Sequence, residues 1–284
     1  MTLTIFALPK PFREHIGVIQ HNAILSWTRL CPRPEIILFG DEEGTDACSR
    51  ELGLRHIPHV QCNEFGTPLM NDLFAQAESI ASHNLLCYLN SDIMVWSDFL
   101  KSVARISSWR ERFLMVGRRQ NVDLDDPEAY ASPNSEERLR ELVRRQNLYS
   151  SLGAMDYFVF SRGLFGAIPP FAIGRGLWDN WLVWKALTVR APVVDASDVT
   201  FVVHQNHAQS KATVYGGEEG HRNSTLAEDH LRTMEYATHR LTPNGIKANL
   251  RQQMLRRTRG LRHALGLRRD TIGNLMSRLG LHKA

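Results

Sequence analysis

Short apolar runs, rich in β-branched and aromatic side chains, alternate along this chain with longer segments of helical character. The runs predict strands at Leu3–Ala7, Glu35–Phe39, Leu85–Leu89, Phe113–Val116, Tyr157–Phe160 and Val199–Val203. The segments between them predict helices at Ile16–Arg29, Asp46–Leu52, Pro68–Ser82, Ser97–Ser108, Ser135–Gln146 and Asp179–Leu187. Ser135 followed by EERLRELV suits a capped helix start with early acids. Strands alternating with helices predict an α/β sheet covered by helices.

Three stretches break the pattern. Between Arg118 and Ala154 the chain is polar and irregular apart from one helix, and VDLDDPEAYASPNS reads as an insertion over the sheet edge that could cover a site. GGEEGHRN, from Gly216 to Asn223, reads as a flexible loop. From Ile246 onward apolar residues at Ile246, Leu250, Met254, Leu261, Leu265, Ile272, Leu275, Met276 and Leu279 predict an amphipathic helix or helix pair, broken near Gly266.

Charge sharpens that last boundary. Residues 245–284 hold ten Lys/Arg and one acid, a net +9, whereas the rest of the chain holds 24 basic and 29 acidic residues, a net −5. The tail has no aromatic residue after Tyr236 for base stacking, so it suits an anionic membrane surface better than nucleic acid. With 284 residues and 43% hydrophobic composition the chain can bury a substantial core, and it contains no apolar run of membrane-spanning length. The start MTLTIFALPKPF lacks a secretory pattern, and Cys31, Cys48, Cys62 and Cys87 form no C-x-x-C pair. The expected location is the cytoplasm, with peripheral attachment at the inner membrane face through the tail.

The stretch LLCYLNSDIMV carries the most chemistry. A strand-like run stops at Asn90-Ser91-Asp92, where Asp92 reads either as a turn residue or as a rigidly held ligand for a divalent cation. A second strand ends in TFVVHQNH, which places His204 and His207 three apart, and imidazole is a good Mn²⁺ or zinc ligand. No H-E-x-x-H pattern is present. Asp179 stands at a predicted helix start between Trp178 and Trp181, where a cap is the plain explanation. Asp156 precedes a strand, as a turn residue or as a carboxylate acceptor for a ligand's hydrogen-bond donors. Arg118 and Arg119 follow a strand end, either as a solvated pair or as positive charge near a site.

Four segments taken in order, over roughly Leu3 to His207, resemble the GT-A fold of nucleotide-sugar glycosyltransferases. LTIFALPKP is similar to the opening strand whose end, here Leu8 and Pro9, lies under the nucleotide base. IILFGDEEGTD is similar to the strand and acidic turn in which an acid, here Asp41, reads that base. NEFGTPLMNDLFAQA is similar to the helix before the metal strand and contributes Asn71. LLCYLNSDIMV is similar to the D-x-D motif, with Asn90 in the first acidic position, a departure that weakens cation binding there.

The resemblance implies a mixed, mainly parallel, Rossmann-like sheet flanked by helices, followed by the basic helical tail. It implies a GT-A domain over residues 1–244, with a nucleotide-binding half (1–117) and an acceptor and catalytic half (118–244), and then the tail (245–284). It implies a Mn²⁺ or Mg²⁺ ion held by Asp92 with His204, or His207 as substitute. Asn90, Ser91, Arg118 and Asp156 would face a nucleotide sugar, UDP in preference to GDP, and Asp179 would be the general base of an inverting transfer to a hydroxyl acceptor on a glycan or lipid-linked sugar. Two rivals remain at this stage. One is a non-catalytic membrane-associated binding module. The other is a sugar nucleotidyltransferase, against which LPKPFREHIG offers only one late glycine.

Overall fold

A computed structural model describes residues 3–123, 135–146, 148–151, 153–207 and 216–249. Strands β1 (Thr4–Ala7), β2 (Glu35–Phe39), β3 (Arg55–Ile57) and β4 (Leu85–Leu89) alternate with helices α1 (Glu14–Thr28), α2 (Thr45–Leu52) and α3 (Met70–Ile80). There follow β5 (Ile93–Val95), α4 (Ser97–Trp109), β6 (Leu114–Val116), β7 (Gln120–Val122), α5 (Ser135–Gln146), β8 (Tyr157–Ser161) and α6 (Trp178–Thr188). Then come β9 (Val193–Asp195), β10 (Val202–Gln205), α7 (Gly217–Ala227), β11 (His239–Thr242) and β12 (Gly245–Ala248).

The large sheet has the order β12-β11-β9-β6-β8-β4-β1-β2-β3. Its pairs are parallel at β1·β2, β1·β4, β2·β3, β6·β9 and β9·β11, and β8 runs antiparallel to both β4 and β6. This is the mixed, mainly parallel sheet expected from the sequence. A second, three-stranded sheet has the order β5-β10-β7.

Alternation along the central strands feeds two cores. Ile5 and Ala7 of β1, with Cys87 and Leu89 of β4, pack on one face with Trp27 and Phe99. Phe6, Leu86 and Tyr88 pack on the other with Phe74, Phe160 and Trp178. Helices thus cover both faces, which is why the strands read as continuous apolar runs. Phe74 stacks on Phe160 with centroids 5.5 Å apart and meets Phe6 edge-on at 5.1 Å. Each fully buried ring of this kind stabilises the fold by about 1.5–3 kcal/mol.

Every predicted strand and helix has a counterpart, displaced by no more than three residues at any boundary. Of the unpredicted strands, β3, β5, β7 and β9 span three residues each and β11 and β12 four each, too short to display a period. Two expectations are corrected. GGEEGHRN is no loop but most of α7, whose buried face consists of Glu219, Gly220, Asn223 and Ala227. That face is polar, so hydrophobic periodicity could not reveal it. The tail does not begin as a helix either. Thr242-Pro243-Asn244-Gly245 makes a turn, with Thr242 Oγ1 donating to the Gly245 carbonyl at 2.8 Å, and Gly245–Ala248 follows as a strand. The remaining tail, from 250 on, and most of the proposed insertion, at 124–134, lie outside the described residues. Among the described residues no helix is long and apolar enough to cross a membrane.

Candidate active site

The C-terminal ends of β1, β2 and β4 open into a cleft of about 800 Å³. Its wall includes Leu8, Pro9, Asp41, Asn90, Ser91, Asp92, Asp156, Asp179, His204 and His207. Ten of the twelve candidates from the sequence thus share one cavity, though they are spread over two hundred positions of chain.

Strand pairing explains how the histidines arrive. After β4 the chain turns at Asn90, with Ile93 N donating to Asn90 O at 3.1 Å, and continues into β5. β10 runs antiparallel to β5 with His204 opposite Ile93, and Gln205 N donates to Asp92 O at 3.3 Å. The end of β10 is therefore laid against the Asp92 turn. Nε2 of His207 lies 3.0 Å, and Nε2 of His204 3.5 Å, from Asp92 Oδ2. Burial pushes the Asp92 carboxyl up, but the hydrogen bonds and charge of His204 and His207 outweigh it and hold the group far below its ordinary value. Asp92 is the ionised partner of the cluster.

These three residues can each offer one ligand atom, all within 4.8 Å of one another. Asp92 Oδ1 and His204 Nδ1 are buried without a hydrogen-bond partner. A buried carboxylate oxygen left bare costs about 1–3 kcal/mol or more, so a group that covers it is favoured. One carboxylate with two imidazoles suits a divalent first-row cation. The residues present fit such an ion.

Around this cluster the site is braced by amide and guanidinium contacts. Asn90 donates Nδ2 to Asp156 Oδ1 at 2.8 Å, and Arg119 meets the other oxygen at 2.6 Å. Ser91 borders the cleft, but its hydroxyl donates to Gln20 Oε1 at 2.8 Å. The buried Gln20 also accepts Lys10 N at 2.7 Å and donates to Lys10 O at 2.8 Å. One side chain thereby ties the segment after β1 to the Asp92 turn. Gly40, at φ +91°, ends β2 in a left-handed turn that sets Asp41 on the rim, and a Cβ there would meet Leu8 Cδ1 at 2.8 Å.

Asp179 lies in the first turn of α6, after Leu177 at φ 81°, and its Oδ1 accepts the N–H of Asn180 at 2.9 Å. Burial, assisted by the charge of Asp156, pushes its carboxyl up from 3.8 to about 7. Such a group exchanges a proton near neutrality, as a general base must.

Two candidates fall elsewhere. Arg118 is turned from the cleft: its Nε donates to Ser150 O at 2.8 Å and its guanidinium lies over Tyr149, 5.4 Å from the ring centroid. Arg119 takes the cleft position, because neighbouring side chains in extended backbone point to opposite sides. Asn71 lies in the first turn of α3, off the cleft wall, with Oδ1 buried and unpartnered. Lys10, His59 and Arg175 border the cleft without having been singled out. Arg175 stands between Gly174 and Gly176, a pattern that marks a loop but not its direction.

Among solved structures, the fold is similar to that of S. aureus TarS 1–349 in complex with UDP-GlcNAc, with TM-score 0.55 and 12% identity over 81% of this chain and 66% of that one. The chain thus spans just under two thirds of that structure's length. Glucosyl-3-phosphoglycerate synthase from Mycobacterium tuberculosis, in complex with Mg²⁺ and UDP, gives TM-score 0.48 and 10% identity over 81% and 79% of the two chains. The mannosyltransferase PcManGT from Pyrobaculum calidifontis, in complex with GDP-Man and Mn²⁺, gives 0.45 and 12% over 74% and 58%. No protein-family model and no curated protein matches the sequence. The fold is that of the GT-A nucleotide-sugar glycosyltransferases.

Proposed function

We propose that this protein is a metal-dependent glycosyltransferase that moves a sugar from a nucleoside diphosphate to a hydroxyl acceptor. The observation that carries this reading is the meeting of Asp92, from the turn after β4, with His204 and His207, from the end of β10, in one cleft with Asp156 and Asp179. A binding module needs no carboxyl poised near neutrality beside a preformed cation cluster.

Asp92, His204 and His207 are the residues that would hold the cation. When bound it supplies positive charge to the diphosphate as the nucleotide departs. The mixed carboxylate and imidazole set favours Mn²⁺ over Mg²⁺, which prefers oxygen ligands. Leu8, Pro9 and Asp41 border the end of the cleft where the base would lie. A UDP-sugar is the proposed donor, in line with the UDP-GlcNAc held by TarS. Asp156, braced by Asn90 and Arg119, is oriented to accept sugar hydroxyls. Asp179, ionised, takes the proton of the acceptor hydroxyl as its oxygen attacks the anomeric carbon, and the product has inverted configuration. The Trp178 and Trp181 rings back α6 with apolar surface.

For the acceptor we propose a surface glycan or lipid-linked sugar, reached at the inner membrane face through the +9 tail. Vesicles rich in anionic lipid should sediment the full chain and leave a chain ending at 249 in the supernatant. For the donor, UDP and GDP are titrated calorimetrically into wild type and Asp92→Ala, with Mn²⁺ and then with EDTA. Metal-dependent binding of one nucleotide, lost in the variant, is expected; no binding under any condition overturns the transferase reading.

A further inference from the structure

The helix α7 holds the approach to Asp179 with two side chains one turn apart. Asn223 is fully buried (0% exposed). Its Oδ1 accepts Ala172 N at 2.9 Å, and its Nδ2 donates to Ala172 O at 3.0 Å and to Gly176 O at 3.1 Å. The whole carboxamide is therefore used on one loop. Glu219, four residues earlier on the same face, accepts Arg175 through Nε at 3.1 Å and through the terminal nitrogen at 2.5 Å. Its other oxygen accepts Asn63 Nδ2 at 2.7 Å.

The loop so held, Ala172 to Gly176, runs directly into α6 and Asp179. It contains Gly174 at φ +81° and Gly176, residues whose conformational freedom must be restrained if the loop is to keep one shape. Backbone bonds from Met70 N to Phe171 O (2.9 Å) and from Ile173 N to Pro68 O (3.0 Å) fix its first half. Asn223 and Glu219 reach its second half, at Arg175 and Gly176, next to the helix start. A buried amide with every bond directed at one loop is worth more to that loop's geometry than to the core, where an apolar side chain would serve.

We propose that Asn223, assisted by Glu219, is a positioning residue that sets Asp179 against the acceptor hydroxyl by clamping the Ala172–Gly176 loop. This rests on the reading of Asp179 as general base. Since no residue of α7 is among those that line the cleft, its loss impairs turnover and spares donor binding.

The test measures nucleoside diphosphate release from UDP-GlcNAc, UDP-glucose and GDP-mannose with Mn²⁺, water serving as acceptor. The proteins are wild type, Asn223→Ala, Glu219→Gln, Asp179→Asn and the two doubles with Asp179→Asn. Misplacing a reacting group by about 1 Å costs up to about a hundredfold, so Asn223→Ala should lower kcat at least about tenfold and Glu219→Gln about threefold, with donor KM held within about twofold. In the Asp179→Asn background neither should lower kcat further. Losses that persist undiminished in that background, or a donor KM that rises in step with the fall in kcat/KM, or an unchanged kcat, overturn the proposal. If Asn223→Ala fails to fold, the isosteric Glu219→Gln decides alone by the same criteria. An Asp179→Asn enzyme with wild-type kcat sinks the base reading and this inference with it. Wild type that releases no nucleotide from any donor sinks the transferase reading itself.

Discussion

The side-chain amide of Asn90 donates to Asp156 Oδ1 at 2.8 Å, so the first position of the D-x-D-like turn is bound to a neighbouring acid. The departure from an acid at this position has a local reason. A carboxylate there would stand within hydrogen-bond distance of a second, buried carboxylate, and like charges so placed repel. Arg119 on the other oxygen completes the arrangement and keeps Asp156 oriented.

Asn90→Asp removes the donor and adds that repulsion. It is expected to destabilise the protein by about 1–3 kcal/mol in chelator at neutral pH. Exchanging the two groups, in Asn90→Asp with Asp156→Asn, restores an amide-to-carboxylate bond and should recover part of the loss. Urea midpoints of wild type and the two variants decide; an unchanged midpoint in Asn90→Asp means the contact is idle.

Asp92→Asn keeps the shape of the turn and removes the charge that faces His204 and His207. Mn²⁺-dependent binding of UDP should weaken by at least about tenfold, or about 1.4 kcal/mol. Calorimetry on variant and wild type, with and without EDTA, measures it. Equal affinity for both proteins would show that Asp92 is only a turn residue.

Asp179 has its carboxyl pushed up to about 7, by burial first and then by the charge of Asp156. A base acts when ionised, so turnover should climb with pH through about 7 and level off above. Asp179→Asn should lose the climb and about two to four orders of magnitude of rate. Stability moves the opposite way. The folded protein holds this proton between about 4 and 7 while the unfolded chain has released it, so the contribution of Asp179 to stability falls as pH rises across that window. Thermal melts of wild type and Asp179→Asn should converge as pH is lowered toward 4.

Gly117 leaves room for the hydroxyl of Tyr157. A Cβ at 117 would lie 2.0 Å from Tyr157 Oη, and that ring is fully buried. Gly117→Ala is expected to cost about 1–3 kcal/mol through overpacking, which lowers Tm by about 2–4 °C per kcal/mol in a chain of this size. Adding Tyr157→Phe removes the clashing oxygen and should return part of it. A Gly117→Ala protein that melts with wild type would contradict this packing.

Local chemistry determined much by itself. Apolar runs and helical spacing placed six strands and six helices, because burial on both faces of a sheet leaves a continuous signature. The strand-end acid, the paired histidines and the acid at a helix start were legible as residue types at element ends. What they could not convey was who meets whom. The antiparallel seating of β10 on β5, two short strands, brings His204 and His207 to Asp92. Backbone alternation after β6 sends Arg119 into the cleft and Arg118 toward Ser150. The helix α7 buries Glu219 and Asn223, so its inward face carries polar groups whose partners lie more than forty positions away. Periodicity reports burial of apolar surface, whereas a buried polar face is defined only by the groups that satisfy it, and those the tertiary structure alone assembles.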